Sequence, residues 1–583
     1  PMAEGGNMLS ELCLFRERLM EDSSSGMPPE GMSSEYISFV LEISETGELC
    51  AVHDLRNDKG KPVRQLVPAA VGRTGTRKVS NFLWDNTGYA LGVSGKDSQE
   101  KVQQKAEAFR SLHRDMLSSC TSVHARALLA FLEHWKPEQF NSLEVRDALL
   151  DSNVAFRLKG EEKCLHEQDD MRRIWLDHLN RGEGTQGVCL ITGRHAVIAQ
   201  THPVIKGVAG GQSSGTSLVS FNCAAFESYG KEQSINAPVS EGAARSYTAA
   251  LNYLLQREHG QTVRIGDTSI VFWAEKASPA ESLFGGFWAP EEDSPQDGRQ
   301  VALLMSILEA LRDGRSLHDA DKDLEPDVRF FILGLAPNAA RLSVRFWVTD
   351  TLETLLRHFC RWYDQLNIER QFPSEPKYPP LWRILLATAA QGKKENISPE
   401  LGGQMSRSIL TGDRYPENMY LMMLQRIHAD KRVDYFRAAF IKAYLCRNHH
   451  EEHDMTTLNT DETNVGYRLG RLFALLEKAQ RDALGGNINA PLRERYIGAA
   501  SATPRLVFPM LLRLAQHHVT KAKKNSFAAY EINFAKAVSD LVENMTDFPA
   551  VLSLADQGRF MLGYYHQNNA SYQKKNEASD ASN

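Results

Sequence analysis

The residues whose types and spacing best suit chemistry lie between Thr201 and Asn222. The run reads Thr201-His-Pro-Val-Ile-Lys-Gly-Val-Ala-Gly-Gly-Gln-Ser-Ser-Gly-Thr-Ser-Leu-Val-Ser-Phe-Asn222. Gly207, Gly210, Gly211 and Gly215 leave the main chain bare, so another backbone can approach closely. Gln212, Ser213, Ser214, Ser217 and Asn222 supply neutral donors and acceptors, and Lys206 and Lys231 supply charge for phosphates. Such a set is suited to reading a nucleic-acid groove: amides and lysines position, and amide side chains discriminate. The same composition also fits a turn between strands whose hydroxyls are satisfied locally.

A second basic and aromatic patch runs from Arg73 to Asn86. Arg73, Arg77 and Lys78 suit phosphates, Asn81 and Asn86 suit base edges, and Phe82 or Trp84 suits a wedge at a base step. Core packing is the competing expectation for both rings, more strongly for Trp84.

Hydrolytic chemistry has weaker support. Gly211-Gln-Ser-Ser-Gly215 matches the G-x-S-x-G elbow around Ser213, but that elbow needs a helix after it, and Thr216-Ser-Leu-Val-Ser-Phe is strand-like. No Lys follows Gly210, Gly211 or Gly215 as a phosphate-binding loop requires. His318-Asp319 is an isolated pair with no matching His/Asp set for a nuclease metal site, and His449-His-Glu-Glu-His-Asp454 reads as an exposed linker. The expectation is no catalytic residue, no metal and no cofactor, with a hydrolase at Ser213 or a nuclease at His318 and Asp319 as the alternative. Eight scattered cysteines without a CxxC pair read as reduced thiols.

The elements that must position these residues change character along the chain. Tyr36–Ile43 and Leu49–Leu55 read as a hairpin turning at Thr46-Gly47, followed by a loop over 57–78. Residues 97–180 read as helical, with Val102, Ala106, Phe109, Leu112 and Met116 at helical spacing. Residues 187–273 read as β-rich, broken by a helix near 243–258, and strands follow at 328–335 and 341–348. From 381 to about 568 the text is a succession of amphipathic helices. The expected class is α+β: a mixed N-terminal region with twisted antiparallel sheets, then an all-α bundle. Residues 1–7 read as a cloning scar, 8–371 as the mixed region, 372–454 as a helical connector and 455–583 as a small helical bundle.

Bulk properties constrain the class only loosely. Net charge is −6, which taken alone argues against a general nucleic-acid binder. Met455–Asn583 holds 15 Lys+Arg against 12 Asp+Glu, so a mildly basic tail follows an acidic body. Arg505, Arg513, Lys521, Lys523 and Lys524 suit a nucleic-acid backbone there, as do Arg468, Arg471, Arg481, Arg493 and Arg495. No membrane span and no secretion signal is expected, which suggests the bacterial cytoplasm.

Four blocks carry a family resemblance. Asn81-Phe-Leu-Trp-Asp-Asn-Thr-Gly-Tyr-Ala-Leu-Gly-Val, Ile205 to Asn222, Glu227-Ser-Tyr-Gly-Lys-Glu-Gln and Phe331 to Trp347 resemble, in order, the large subunit of the type I-C (Dvulg-subtype) CRISPR Cascade complex. The resemblance implies a place beside the subunit that caps the crRNA 5′ handle and a filament of backbone subunits. It implies recognition of a protospacer-adjacent motif, usually a T-rich trinucleotide ending in C, in double-stranded DNA. It also implies opening of that duplex into an R-loop and support for a recruited helicase-nuclease. The contacts it suggests are Lys206, Gly210, Gly211, Gln212, Ser213, Ser214, Asn222 and Lys231, then Asn81 and Phe82. The resemblance also implies a small subunit made from inside the same gene. Here Glu451-Glu452 must be encoded by GARGAR, a purine run like a ribosome-binding site, six nucleotides before Met455. Met455 is therefore the expected internal start, and the bundle it begins is expected to contact the displaced strand.

Overall fold

A computed structural model describes residues 7–22, 24–70, 79–180, 184–221, 223–289, 298–451, 455–485, 488–489, 491–525, 530–543 and 545–580. Packing divides the chain into two units: 1–256 with Asn338–Ser343, and the remainder, Arg257–Pro337 with Val344–Asn583. This division follows contacts, whereas the boundaries expected at 371/372 and 454/455 follow composition and an inferred start.

The first unit is built on a four-stranded sheet in the order β3-β2-β6-β5 (β2 Phe39–Ile43, β3 Leu49–Asp54, β5 Trp84–Asn86, β6 Asn153–Leu158). The expected hairpin forms, but its first strand breaks at Ser38. Residues before the break form β1 (Met32–Ile37), which pairs with β4 (Val63–Pro68), a strand inside the segment expected to be loop. β6 interrupts the stretch expected to be helical and pairs parallel to β2, so the sheet is mixed rather than antiparallel. The reason is burial on both faces: Val154, Ala155 and Phe156 are all buried, which hides the alternation that marks a strand. Helices Gln99–Leu117 and Val123–His134 pack Phe109, Leu128 and Phe131 onto Phe39, Leu41 and Phe156.

From Ala199 to Ser240 the expected β-rich segment is turns, short 3-10 pieces and isolated bridges, because its glycines and prolines do not sustain a ladder. β7 (Gln186–Val188) and β8 (His195–Val197) pair just before it.

The second unit carries, apart from the hairpin tip Asn338–Ser343, a sheet ordered β12-β11-β10-β9 (β9 Thr262–Ile265, β10 Thr268–Ala274, β11 Arg329–Asn338, β12 Arg341–Thr351). Thereafter it is helical, as expected. One apolar core runs from Ile265 to Tyr565. The helices Val465–Leu484 and Leu554–Asp580 meet at backbone distance, since a Cβ on Gly470 would overlap the Phe560 carbonyl. No helix among the described residues is long and apolar enough to cross a membrane.

Candidate nucleic-acid interface

Within the first unit, Ile205 and Thr216 exchange both backbone hydrogen bonds, at 2.8 and 2.9 Å, and so close residues 206–215 into a loop. Two turns fold it: Gly211 N–H donates to the Val208 carbonyl at 3.0 Å, and Gly215 N–H donates to the Gln212 carbonyl at 2.9 Å. Gly215 sits at φ +103°, and a Cβ there would lie 2.8 Å from Val204 Cβ, so only glycine fits. The foot of the loop is held by Asn252 on the helix Glu241–Leu254, whose Oδ1 accepts from Lys206 N at 2.8 Å. Gly210, Gln212, Ser213 and Ser214 are exposed at the tip, and the three polar side chains make no hydrogen bond among the described residues. Lys206 is also exposed, but its Nζ lies 3.1 Å from Glu35 Oε2. A phosphate at Lys206 must therefore displace a surface ion pair, a contact of about 1 kcal/mol or less. Asn222 lies outside the described residues.

Lys231 belongs to a second turn. Ser228 and Lys231 close it with a 3.0 Å backbone bond, and Tyr229 and Gly230 take φ +53° and +67°. Positive φ at both central positions is the type I′ pattern that suits hairpins. Asn236 fixes this turn from below: its Oδ1 accepts from Ser228 N at 3.0 Å, and its Nδ2 donates to the carbonyls of Lys231 and Gln233 at 2.8 and 2.9 Å. Tyr229 is 98% exposed at the apex. Both segments are tied to one hairpin tip. Ser217 N donates to the Ala340 carbonyl at 3.2 Å and its carbonyl accepts from Leu342 N at 2.9 Å, while the Arg341 guanidinium lies 4.5 Å from the Phe226 ring centroid. The structure thus brings the glycine-rich loop and the Lys231 turn onto a common support. Tyr229, Asn236, Asn252 and Arg341 were not among the contacts expected from the sequence; Tyr229 and Arg341 lay only within the blocks 227–233 and 331–347.

Asn81 and Phe82 are placed differently from expectation. The Phe82 ring is fully buried, stacked against His113 at 5.3 Å and Trp175 at 5.5 Å. The base-step wedge at Phe82 is corrected accordingly: its faces are already covered by core rings. Asn81 is buried as well, with its backbone N–H donating to Asp85 Oδ2 at 2.9 Å. Trp84 is core, and its Nε1 donates to the Pro68 carbonyl at 2.8 Å. Arg73, Arg77 and Lys78 lie outside the described residues.

The CRISPR-associated protein family Cas_Csd1 matches residues 12–572. The chain belongs to that family. No curated protein matches it. Membership supports a part within a multi-subunit, Cascade-type CRISPR complex. The match spans the loop, the Lys231 turn and the C-terminal helices of this CRISPR-associated protein alike.

Several basic residues expected to line a nucleic-acid path in those helices instead tie the bundle together. Arg471 donates to the carbonyls of Asn459 and Thr460, Arg468 to those of Asp540 and Glu543, and Arg481 to Tyr572 Oη. Arg505 pairs with Asp547 at 2.7 Å and donates to the Phe548 carbonyl. Arg513 and Lys521 are exposed on the helix Pro504–Asn525, while the side chains of Lys523 and Lys524 lie outside the described residues.

Among the described residues, Ser213 stands in a turn and Asp319 in a helix cap. Ser213 stands in the second turn, and the chain returns from it to pair with Ile205 instead of entering a helix. Asp319 is the N3 residue of a capping box, its Oδ2 accepting from Ser316 N at 3.0 Å, and these bonds hold its carboxyl below the usual range. Among the described residues, Cys164, His166 and Glu167 place ligand-capable atoms within 4.8 Å of one another. Cys164 and Glu167 there form a second capping box, and burial pushes the Cys164 thiol up to about 12.

Proposed function

We propose that this chain is the large subunit of a type I-C Cascade complex and reads the protospacer-adjacent motif of double-stranded DNA through the 206–215 loop, without turning over a substrate itself. The observation that carries the reading is the loop tip: polar side chains with unused hydrogen-bonding capacity, raised on a closed and anchored base. A rigid base means that little ordering is lost on binding, so each new contact counts toward affinity. Gln212 offers an amide for a base edge, Ser213 and Ser214 offer hydroxyls, and the bare main chain at Gly210 and Gly211 lets the loop approach the duplex. Lys206 and Lys231 hold phosphates and set the register.

Guide pairing then reads the remaining sequence, and strand exchange is nearly balanced in energy, so modest protein contacts tip it. On this reading the chain promotes R-loop formation and supports the recruited helicase-nuclease. Its partners are the crRNA, the 5′-handle-capping subunit, the backbone subunits, and a small subunit begun at Met455. The basic residues exposed in the C-terminal helices face the displaced strand.

The test is binding by the assembled complex. Replacing Gln212 by Ala should reduce discrimination between motif-bearing and scrambled targets by about 1–3 kcal/mol, roughly 5- to 150-fold. Unchanged discrimination in both Gln212→Ala and Ser213→Ala would reject the loop as the reader. Loss of a hydrolytic activity in Ser213→Ala would favour the enzyme reading.

A further inference from the structure

We infer that Tyr229 is a stacking platform for a nucleobase released from pairing, set on the Lys231 turn beside the motif-reading loop. The inference rests on the DNA-reading function proposed above and names a residue and a ligand class within it.

Three observations lead there. The ring is 98% exposed, so it adds nothing to the core, and both of its faces are open. Its backbone is held at φ +53°, a region in which Asn or Gly is the usual occupant of this turn position, so folding economy does not account for an aromatic residue there. The turn beneath it is fixed by the three hydrogen bonds of Asn236, so the ring is presented on a support that does not need to be ordered on binding. An open π-face on a rigid mount is what an unpaired base requires, and because every base has such a face the contact tolerates any sequence.

The neighbours fit the same ligand. Lys231, two residues on, is exposed and able to meet the phosphate of the stacked nucleotide. Phe226, 42% exposed, lies under the Arg341 guanidinium, a second flat surface on the same support. Hot-spot aromatics of protein interfaces sit in well-packed pockets near the centre of the contact. Here Glu227, Ser228, Lys231, Glu232 and Gln233 surround the tyrosine and are all exposed.

The experiment uses the assembled complex and a target duplex carrying 2-aminopurine at the first pair beside the motif, with a motif-scrambled duplex in parallel. Tyr229→Phe keeps the ring, whereas Tyr229→Leu keeps apolar bulk without a π-face and Tyr229→Ala removes both. The expected result is that Tyr229→Ala and Tyr229→Leu each lower target affinity about tenfold or more and lose the 2-aminopurine signal, with Tyr229→Phe within about twofold of wild type. Wild-type behaviour in Tyr229→Ala or Tyr229→Leu would overturn the inference. So would failure of Tyr229→Ala to enter the complex with rescue by Tyr229→Leu, which would mark an apolar protein contact. A wild-type complex that ignores the motif yet loses opening in Tyr229→Ala and Tyr229→Leu would reject the motif reading and uphold the stacking role.

Discussion

His113 shows burial setting a protonation state. Its Nε2 accepts from Leu83 N–H at 2.9 Å, so Nδ1 carries the proton and donates to the Phe109 carbonyl at 2.7 Å. Burial lowers its pKa from 6.5 to about 4. The unfolded chain therefore takes up the proton first as pH falls. His113 contributes its full stabilisation above pH 6.5, and that contribution is lost between 6.5 and about 4, in all about 3 kcal/mol. Urea midpoints across that window should fall less steeply in His113→Gln than in the wild type, whereas identical slopes would show that this histidine titrates normally. His113 also explains why Phe82 misled the sequence reading. An aromatic residue flanked by asparagine and basic residues looks like a surface wedge, and only the distant His113 and Trp175 reveal that its faces are occupied. By contrast, the exposure of Gln212, Ser213 and Ser214 follows from the glycines on either side, which leave no other structure for them to join.

At the scale of elements, local pattern identified what local interactions build. The β2–β3 hairpin, strands β11 and β12, and the C-terminal helices all follow periodicity over neighbouring residues. What was missed depends on partners far along the chain: β4 acquires its identity only by pairing with β1, and β6 by lying parallel to β2. The 206–215 loop belongs to the same class. Its composition was visible, but its closure by Ile205 and Thr216 and its attachment to Asn252 were not. That closure depends on Gly215. Gly215→Ala should strain the loop by about 1–3 kcal/mol, lowering the urea midpoint and weakening target binding together. Unchanged binding with a lowered midpoint would separate the shape of the loop from DNA recognition, contrary to the proposal.

For the whole molecule, the C-terminal helices raise a question of assembly. Met455 is buried, and the segment it begins shares its core with preceding helices; Tyr420 Oη, for example, donates to the Leu554 carbonyl at 2.8 Å. A separate 455–583 product would uncover the face that packs there, so it should persist only when bound within the complex. Replacing the Met455 codon with a non-start codon should abolish a band of about 14.5 kDa, since the product holds 129 of 583 residues of a 65.4 kDa chain. Persistence of that band would move the start to Met422, Met423 or a non-ATG codon.

The most direct measurement of the central claim is binding of the assembled complex to a target library randomised at the bases flanking the protospacer. Wild-type complex should select a short motif, and Gln212→Ala should flatten that selection while leaving guide-directed binding in place. Equal binding whatever the flanking bases, or the same motif selected with equal strength by Gln212→Ala and Ser213→Ala, would contradict it.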